Sequence, residues 1–499
     1  METFAQYLKA LIDVSGISIR SISEQSGLER TSLHKILSGE RPCPDGETVE
    51  RLAKVLMLDT KQTKLLREKG LIAKMGPGVY ARHQHVKSLL ESFDISVLPH
   101  GLWSKSTDPA LLEFEGDAMP IQGVEKVNRY VKTVVELEAD RAGGTIRVIA
   151  QPEYTFLTNL LSHIGQSKRE LTIIHIVCMQ RNVSEQGDNH INLEIMSSLV
   201  PLITSVCSYQ PFFYYDDVQA HINELSMLPY MILTGDYAVA VASDASAAVL
   251  YRSKALRDFY STQYNRFMES AAEALTQVQN PMSLFMGFQS PMSLEDLPGY
   301  SIAVEPCLAS FVSEHYINKY MLDSFGEKQA VIDWFGSITE SAGLMRRAEC
   351  IRVSYFYEEG IEQFVQSGRV RELPEDYYSP IDKPDAYRLL RAMYELSRSG
   401  RYRPAIVKKD KFKVPRNLVM GLPSKHCVTL VYLREDRGMM ISSIYERSFV
   451  KAISSFLVYL KDSEYVYTVK QTQDIILQKL NALEEELNLT PAERVTKHS

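Results

Sequence analysis

The chain has 499 residues, of which 45% are hydrophobic and 23% are charged, and its formal net charge is -7. This length exceeds what one compact domain usually holds, so two to four domains of an ordinary water-soluble protein are expected. The charge is uneven, because residues 1–75 carry +2 and the remaining residues carry -9. A mildly basic beginning on an acidic body favours a first segment that meets a polyanion and a body that does not.

Several classes of protein are excluded by what the chain lacks. No two of its six cysteines form a CxxC pair, which favours free thiols in a reducing compartment over a metal site or a disulfide framework. The first residues show no basic leader with an apolar core, so no signal peptide is expected. No run of about 18 uncharged apolar residues occurs, so no membrane span is expected. The sequence predicts a cytoplasmic protein without a metal or another cofactor.

Residues 1–75 show the apolar spacing of five short amphipathic helices. Ser18 can cap a helix over Ile19–Ser26, and Gly27 can adopt a positive φ and turn the chain sharply. A third helix, from about Arg30 to Leu37, is expected to end at Gly39. The five predicted helices cover about residues 2–14, 19–26, 30–37, 47–58 and 61–75.

This pattern resembles the helix-turn-helix domain of the Cro and lambda-repressor-like proteins, the Xre family, over about residues 6–70. Ile22 matches the family's apolar position in helix 2, Gly27 its turn glycine and Leu28 its apolar turn residue. Leu33 and Ile36 match the inner pair of helix 3. Ser38-Gly39 and the following ERPCP match the family's Ser-Gly and its basic, proline-containing loop. The family often begins its second helix with a Gln that binds DNA phosphate, and here that position is Ile19, followed by Arg20. The resemblance implies an all-α, five-helix head that binds double-stranded DNA.

The third helix is the predicted recognition helix, because the major groove admits one α-helix whose first turns reach base edges. The residues expected to contact DNA from this helix are Arg30, Thr31, Ser32, His34 and Lys35. Arg20 and Arg41 flank the helix and are expected to hold phosphates. Arg30 and Lys35 could instead form a solvated helix face, but the helix-turn-helix frame around them favours DNA binding.

Beyond the head, strand and helix patterns alternate. Residues 76–122 are predicted to form a linker helix at about 80–93 and a long connection over 95–120. Residues 123–278 are predicted to form an α/β domain for sensing and dimerisation, with a last helix over about 254–275. A linker at 279–300, a second α/β region at 301–470 and an amphipathic C-terminal helix with a tail at 471–499 follow.

The two α/β regions end in similar patterns. YAVAVASDASAAVLYRSKALRDFYSTQYNRFM and HCVTLVYLREDRGMMISSIYERSFVKAISSFLVYL both show a strand, a charged turn, a strand, a basic residue and a long helix. An internal duplication would explain this pattern, and so would the shared design of α/β proteins. The first region also resembles the phospholipase D-like sensor domains that follow the DNA-binding heads of some regulators.

No catalytic pattern is present. Phospholipase D-like enzymes need His-x-Lys-x4-Asp, and the one near match, His85-Val86-Lys87, has Ser92 where Asp is required. The chain lacks a phosphate-binding GxxxxGK loop, a GxSxG elbow and an HExxH zinc motif. Asp217 and His221 have i,i+4 spacing that could hold a metal, but a solvated helix face is the better interpretation. The sequence therefore predicts a protein that is not an enzyme.

These observations predict a sequence-specific DNA-binding transcriptional regulator that is dimeric and ligand-responsive, with a small-molecule or peptide effector. One small head contacts little DNA, so specific binding usually needs a dimer that engages two half-sites. Two alternatives stay open. One is an enzyme or defence effector with an autoregulatory DNA-binding head, and the other is an antitoxin-like interaction protein.

Overall fold

The computed structural model describes residues 2–93, 108–181, 191–216, 227–273, 275–278, 299–308, 311–322, 328–329, 331–332, 352–370, 375–433 and 439–488. The described residues up to His85 form one compact unit, and those from Val86 onward form a second. In these ranges no helix has the length and apolarity needed to cross a membrane. Asp217, His221 and most of the predicted linker at 279–300 lie outside the described residues.

The first unit is all-α, as predicted. Its helices are α1 (Phe4–Ser15), α2 (Ile19–Ser26), α3 (Arg30–Ser38), α4 (Gly46–Val55), α5 (Thr60–Met75) and the first part of α6 (Pro77–Ser92). Ser18 caps α2 by accepting a hydrogen bond from the Ser21 backbone N–H, and Gly39 ends α3 in the left-handed conformation, which confirms both predicted caps. Apolar side chains from α1 to α5 form its core, chiefly Phe4, Leu8, Ile22, Leu33, Ile36, Val49, Leu52 and Leu66.

The second unit contains two mixed sheets. The strands of the first sheet are β1 (Ala118–Gln122), β2 (Thr145–Ile149), β3 (Thr172–Gln180), β4 (Ser208–Asp216), β5 (Tyr230–Leu233), β6 (Ala238–Val241), β7 (Ala247–Tyr251) and β8 (Ala272–Glu273). Their order is β1-β7-β6-β5-β2-β3-β4-β8. Strands β2, β3 and β4 are parallel, and the other neighbours are antiparallel. The helices of this part are α7 (Val124–Ala139), α8 (Thr155–Gly165), α9 (Ile191–Ile203) and α10 (Lys254–Ser270), with a 3₁₀ turn at Pro109–Leu112.

The second sheet has the order β12-β11-β10-β13-β14-β15-β9. Its strands are β9 (Leu275–Val278), β10 (Gly299–Ile302), β11 (Arg352–Phe356), β12 (Tyr402–Ile406), β13 (Leu418–Ser424), β14 (Cys427–Leu433) and β15 (Met439–Ile444). The accompanying helices are α11 (Glu314–Tyr320), α12 (Glu358–Ser367), α13 (Lys383–Arg398), α14 (Arg447–Leu460) and α15 (Val469–Leu487), with a 3₁₀ turn at Glu375–Tyr377. The buried side of α15 packs on α13 through Ile476, Leu480 and Leu483, so the predicted C-terminal helix belongs to the body.

The two sheets repeat one topology. Each sheet has three parallel strands, β2 to β4 in the first and β10 to β12 in the second. The next three strands along the chain, β5 to β7 or β13 to β15, are antiparallel and extend the sheet from the side of β2 or β10. An extra antiparallel strand, β1 or β9, pairs with the last strand, and a long helix, α10 or α14, follows that strand. The structure therefore repeats the arrangement that the two similar sequence patterns suggested.

Two neighbouring strands along the chain each belong to a different sheet. β8 pairs with β4 of the first sheet, and β9, one residue further along the chain, pairs with β15 of the second. A buried carboxylate adds to this joint, because Glu446 caps α14 and accepts a hydrogen bond from the Tyr215 hydroxyl of β4 at 2.6 Å. The two α/β parts of the second unit are therefore connected by more than a linker.

Two element predictions are wrong. Residues 118–120, predicted to lie in the long connection over 95–120, belong to β1, a short edge strand whose central proline hides its strand pattern. The helix predicted to reach residue 275 ends at Ser270, and the residues after it form β8 and β9. The first sheet therefore ends along the chain at Glu273, and the second begins with Leu275.

His175 on β3 is a buried titratable group within the first sheet, with 1% of its surface exposed. Its Nε2 lies 3.1 Å from the Ala150 carbonyl oxygen and its Nδ1 lies 2.9 Å from the Tyr209 hydroxyl. A neutral imidazole satisfies both groups, with Nε2–H donating to the carbonyl and Nδ1 accepting from the hydroxyl. Burial lowers the pKa of His175 from 6.5 to about 4, because the charged form would be desolvated.

We expect stability to fall as the pH drops through this range. In the unfolded chain His175 is protonated below its ordinary pKa of 6.5. In the folded chain it stays neutral until the pH falls to about 4. The folded state then loses up to about 3 kcal/mol. His175→Gln keeps a donor and an acceptor, so it should flatten this part of the profile and change little at pH 7.5. Thermal denaturation of both proteins from pH 4 to 7.5 measures the difference, and superimposable profiles would contradict the assignment.

Candidate nucleic-acid interface

Helices α2 and α3 are separated by three residues, the spacing of a helix-turn-helix. Gly27 has φ +72, a conformation that side chains with a Cβ rarely adopt. The following Leu28 is half-buried against the head core, and its carbonyl oxygen accepts a hydrogen bond from Ser23 Oγ at 2.5 Å. The turn therefore fixes where α3 begins.

The two faces of α3 differ sharply. Leu33 and Ile36 are buried in the head core, as predicted. The predicted base-reading residues lie elsewhere on the helix surface, and Arg30, Thr31, His34 and Lys35 are exposed while Ser32 is half-buried. The polar residues of α3 therefore lie on a surface of the helix different from the one that Leu33 and Ile36 bury in the core.

The two flanking arginines have different surroundings. Arg20 Nε lies 2.9 Å from Glu24 Oε1, and the Arg20 side chain is 80% exposed. Such an exposed pair stabilises little and can exchange its carboxylate for a phosphate. Arg41, in contrast, reaches back onto α3, where its Nη1 donates a hydrogen bond to Ser32 Oγ at 2.6 Å. The structure therefore brings Arg41 together with a predicted base-reading residue, and it leaves Arg20 on the neighbouring helix.

Sequence reasoning missed Arg51, which braces the turn from α4. Its Nε donates to the Ser26 carbonyl oxygen at the end of α2 at 2.9 Å, and its Nη2 donates to Thr48 Oγ1 at 2.8 Å. Thr48 is itself held by Asp45, the N-cap of α4, and its backbone N–H lowers the pKa of that carboxyl. The only sequence signal was the i,i+4 spacing of Arg51 from Glu47, which predicts their 3.0 Å ion pair but not the turn contact.

The residues of the near match to a phospholipase D motif make structural contacts. His85 Nδ1 lies 2.9 Å from the Ala81 carbonyl oxygen, within its own helix. Lys87 Nζ donates to the Lys411 carbonyl oxygen at 3.0 Å and lies over the Tyr465 ring. Within the ranges that the structure describes, no group of three His, Cys, Asp or Glu side chains is arranged to hold a metal ion.

Comparisons with solved structures include two weak likenesses to this chain. No protein-family model matches this chain, and no curated protein matches its sequence. An archaeal chromatin protein, TrmBL2, whose structure is described as showing a novel mode of DNA binding, is 9% identical with a TM-score of 0.20, over 54% of this chain and 93% of that one. A phosphatidylserine synthase of Haemophilus influenzae Rd KW20 is 9% identical with a TM-score of 0.22, over 76% of this chain and 94% of that one. At these values neither likeness assigns a function to this chain.

The bond between Arg51 and the turn leads to a stability prediction. Arg51→Met keeps most of the side-chain stem but leaves the carbonyl of fully buried Ser26 without its charged donor, which should cost about 1–3 kcal/mol locally. Lys54→Met removes an exposed cation from the same helix and should stay within about 0.5 kcal/mol. Hydrogen exchange of the α2 and α3 amides in the full chain measures both effects. Equal protection in the two variants would show that Arg51 does not brace the turn.

Proposed function

We propose that the chain is a sequence-specific DNA-binding transcriptional regulator that acts as a homodimer and responds to a small-molecule or peptide effector. The observation that supports DNA binding is the exposure of Arg30, Thr31, His34 and Lys35 on α3, while Leu33 and Ile36 anchor the same helix in the head core. The helix-turn-helix geometry around α3 supports a shared role of these polar residues in DNA binding.

The residue types on α3 suit the major groove. The groove is about 12 Å wide and accepts a helix about 10–12 Å across. An arginine can donate two hydrogen bonds to guanine, a threonine methyl can contact the thymine methyl, and a lysine can reach guanine or phosphate. Arg30 and Thr31 occupy the first turn of α3, which is the part of a recognition helix that reaches base edges.

Dimerisation and effector binding are assigned to the body. A single α3 covers one half-site, and two linked heads raise affinity without new contacts because the second binding event becomes intramolecular. The second unit holds two α/β sheets, far more structure than a support for one small head requires. Parallel strands offer ligand sites at their carboxyl ends, and each sheet has three such strands.

We propose binding rather than catalysis for the body. The one sequence that approaches a phospholipase D motif lies on α6, and Lys87 is engaged by a backbone carbonyl and an aromatic ring. Thermal-shift screening of the full chain against metabolites, nucleotides and peptides should find a stabilising ligand that is recovered chemically unchanged. A product that forms in proportion to the protein would place the chain among enzymes instead.

The recognition helix gives a second test, on DNA. Duplexes selected from a random library by the full chain should share a motif, and Arg30→Ala should cost about 1–3 kcal/mol on that motif and relax one base position. Arg20→Ala should weaken binding to all duplexes alike and make the salt dependence shallower by about one unit. Lys61→Ala, an equal charge change at an exposed position on α5, is the matched control.

Two results would contradict this proposal. Selection that yields no shared motif would remove sequence specificity. If Arg30→Ala and Lys61→Ala bind the selected motif equally, α3 does not enter the groove. The variant proteins are first compared by circular dichroism, since Arg30 and Lys61 are exposed and neither substitution should alter the helical content.

A further inference from the structure

The chain turns back on itself directly after α3. Gly39 has φ +80 and its N–H donates to the Ile36 carbonyl oxygen, which closes the helix. Two residues later the Arg41 backbone N–H donates to the Lys35 carbonyl oxygen at 2.9 Å. This backbone bond places Arg41 beside the last turns of α3, with its side chain extending toward the start of the helix.

We infer that Ser32 and Arg41 form one composite base-reading unit, in which Arg41 determines sequence specificity instead of holding a phosphate. This inference rests on the proposed DNA-binding function and assigns a new role within it. Its geometric basis is the 2.6 Å hydrogen bond from Arg41 Nη1 to Ser32 Oγ. That bond holds the guanidinium against α3 itself, at a residue two positions after Arg30.

The chemistry of the pair suits a base edge. A guanidinium has five N–H donors, and the bond to Ser32 uses one of them, so a planar pair of donors remains for the O6 and N7 acceptors of guanine. The serine hydroxyl accepts from Arg41 and keeps its own proton to donate. Both ends of Arg41 are also held, by a backbone bond and a side-chain bond, so less conformational entropy is lost when it binds.

Arg20 provides the contrast within the same head. Its side chain is 80% exposed and pairs with Glu24 on its own helix. A phosphate contact needs positive charge and little geometry, so lysine can replace arginine there. A bidentate base contact needs the planar fork, which lysine lacks. Substitution by lysine therefore separates the two roles.

The test uses the full chain and the DNA motif that it selects, with Arg41→Lys, Arg41→Ala, Ser32→Ala and the double variant Ser32→Ala/Arg41→Ala. Binding is measured on the motif and on every single-base variant of it across salt concentrations. Arg41→Lys should keep the wild-type salt dependence and lose discrimination at one position by about tenfold or more. Ser32→Ala should affect the same position, and the double variant should be no worse than Arg41→Ala, because both changes remove one unit.

Arg20→Lys is the comparison for a phosphate contact, and any change in affinity should be the same for every duplex. Lys61→Arg, at an exposed position on α5, is the control that should leave binding unchanged. If Arg41→Lys behaves as wild type and Arg41→Ala weakens every duplex alike, Arg41 holds a phosphate and the inference is overturned. Additive losses at different positions for Ser32→Ala and Arg41→Ala would overturn it as well. These outcomes are distinct from failure of the proposed function, in which the wild-type chain selects no motif at all.

Discussion

The position of α3 depends on one charged hydrogen bond, from Arg51 to the carbonyl at the end of α2. The last carbonyls of any helix lack partners within it, and Ser26 is fully buried, so water cannot serve as the donor. The Arg51 guanidinium donates a hydrogen bond to this carbonyl, and its positive charge is also stabilised by the negative end of the helix dipole. Because Arg51 is fixed to Thr48 as well, α4 determines where α2 stops and therefore where α3 can start.

The same constraint explains the distribution of residues on α3. Once the turn is fixed, Leu33 and Ile36 must face the core, and Arg30, Thr31, His34 and Lys35 face outward. The outward residues need no partner for folding, so their identities are free to serve another purpose. Arginine, threonine, histidine and lysine there cost the head little stability, because exposed helix positions tolerate most residues within about half a kcal/mol.

Local signals predicted the head well and the body less completely. Ser18, Gly27 and Gly39 set the ends of α2 and α3, since caps act within a few residues. The strands β2 to β7 follow from apolar runs. The central proline of β1 hides its strand pattern, and β9 depends on pairing with β15, which lies more than 160 residues away. The bond between Ser32 and Arg41 spans nine residues and depends on how the chain leaves α3, so no periodicity predicts it.

The two halves of the body share a topology but differ in the residues of equivalent helices. Helices α10 and α14 occupy equivalent places after the last strand of each sheet. Helix α14 packs against α9 and buries apolar side chains along most of its length, whereas α10 buries Tyr264 alone among its 17 residues. The helix that buries more of its surface has more apolar residues. Lysine, arginine and aspartate can therefore remain on α10, while α14 carries the largely apolar run FVKAISSFLVYL. Different burial at equivalent positions therefore lets the two helices carry different residue types while the strand order and direction beside them are kept.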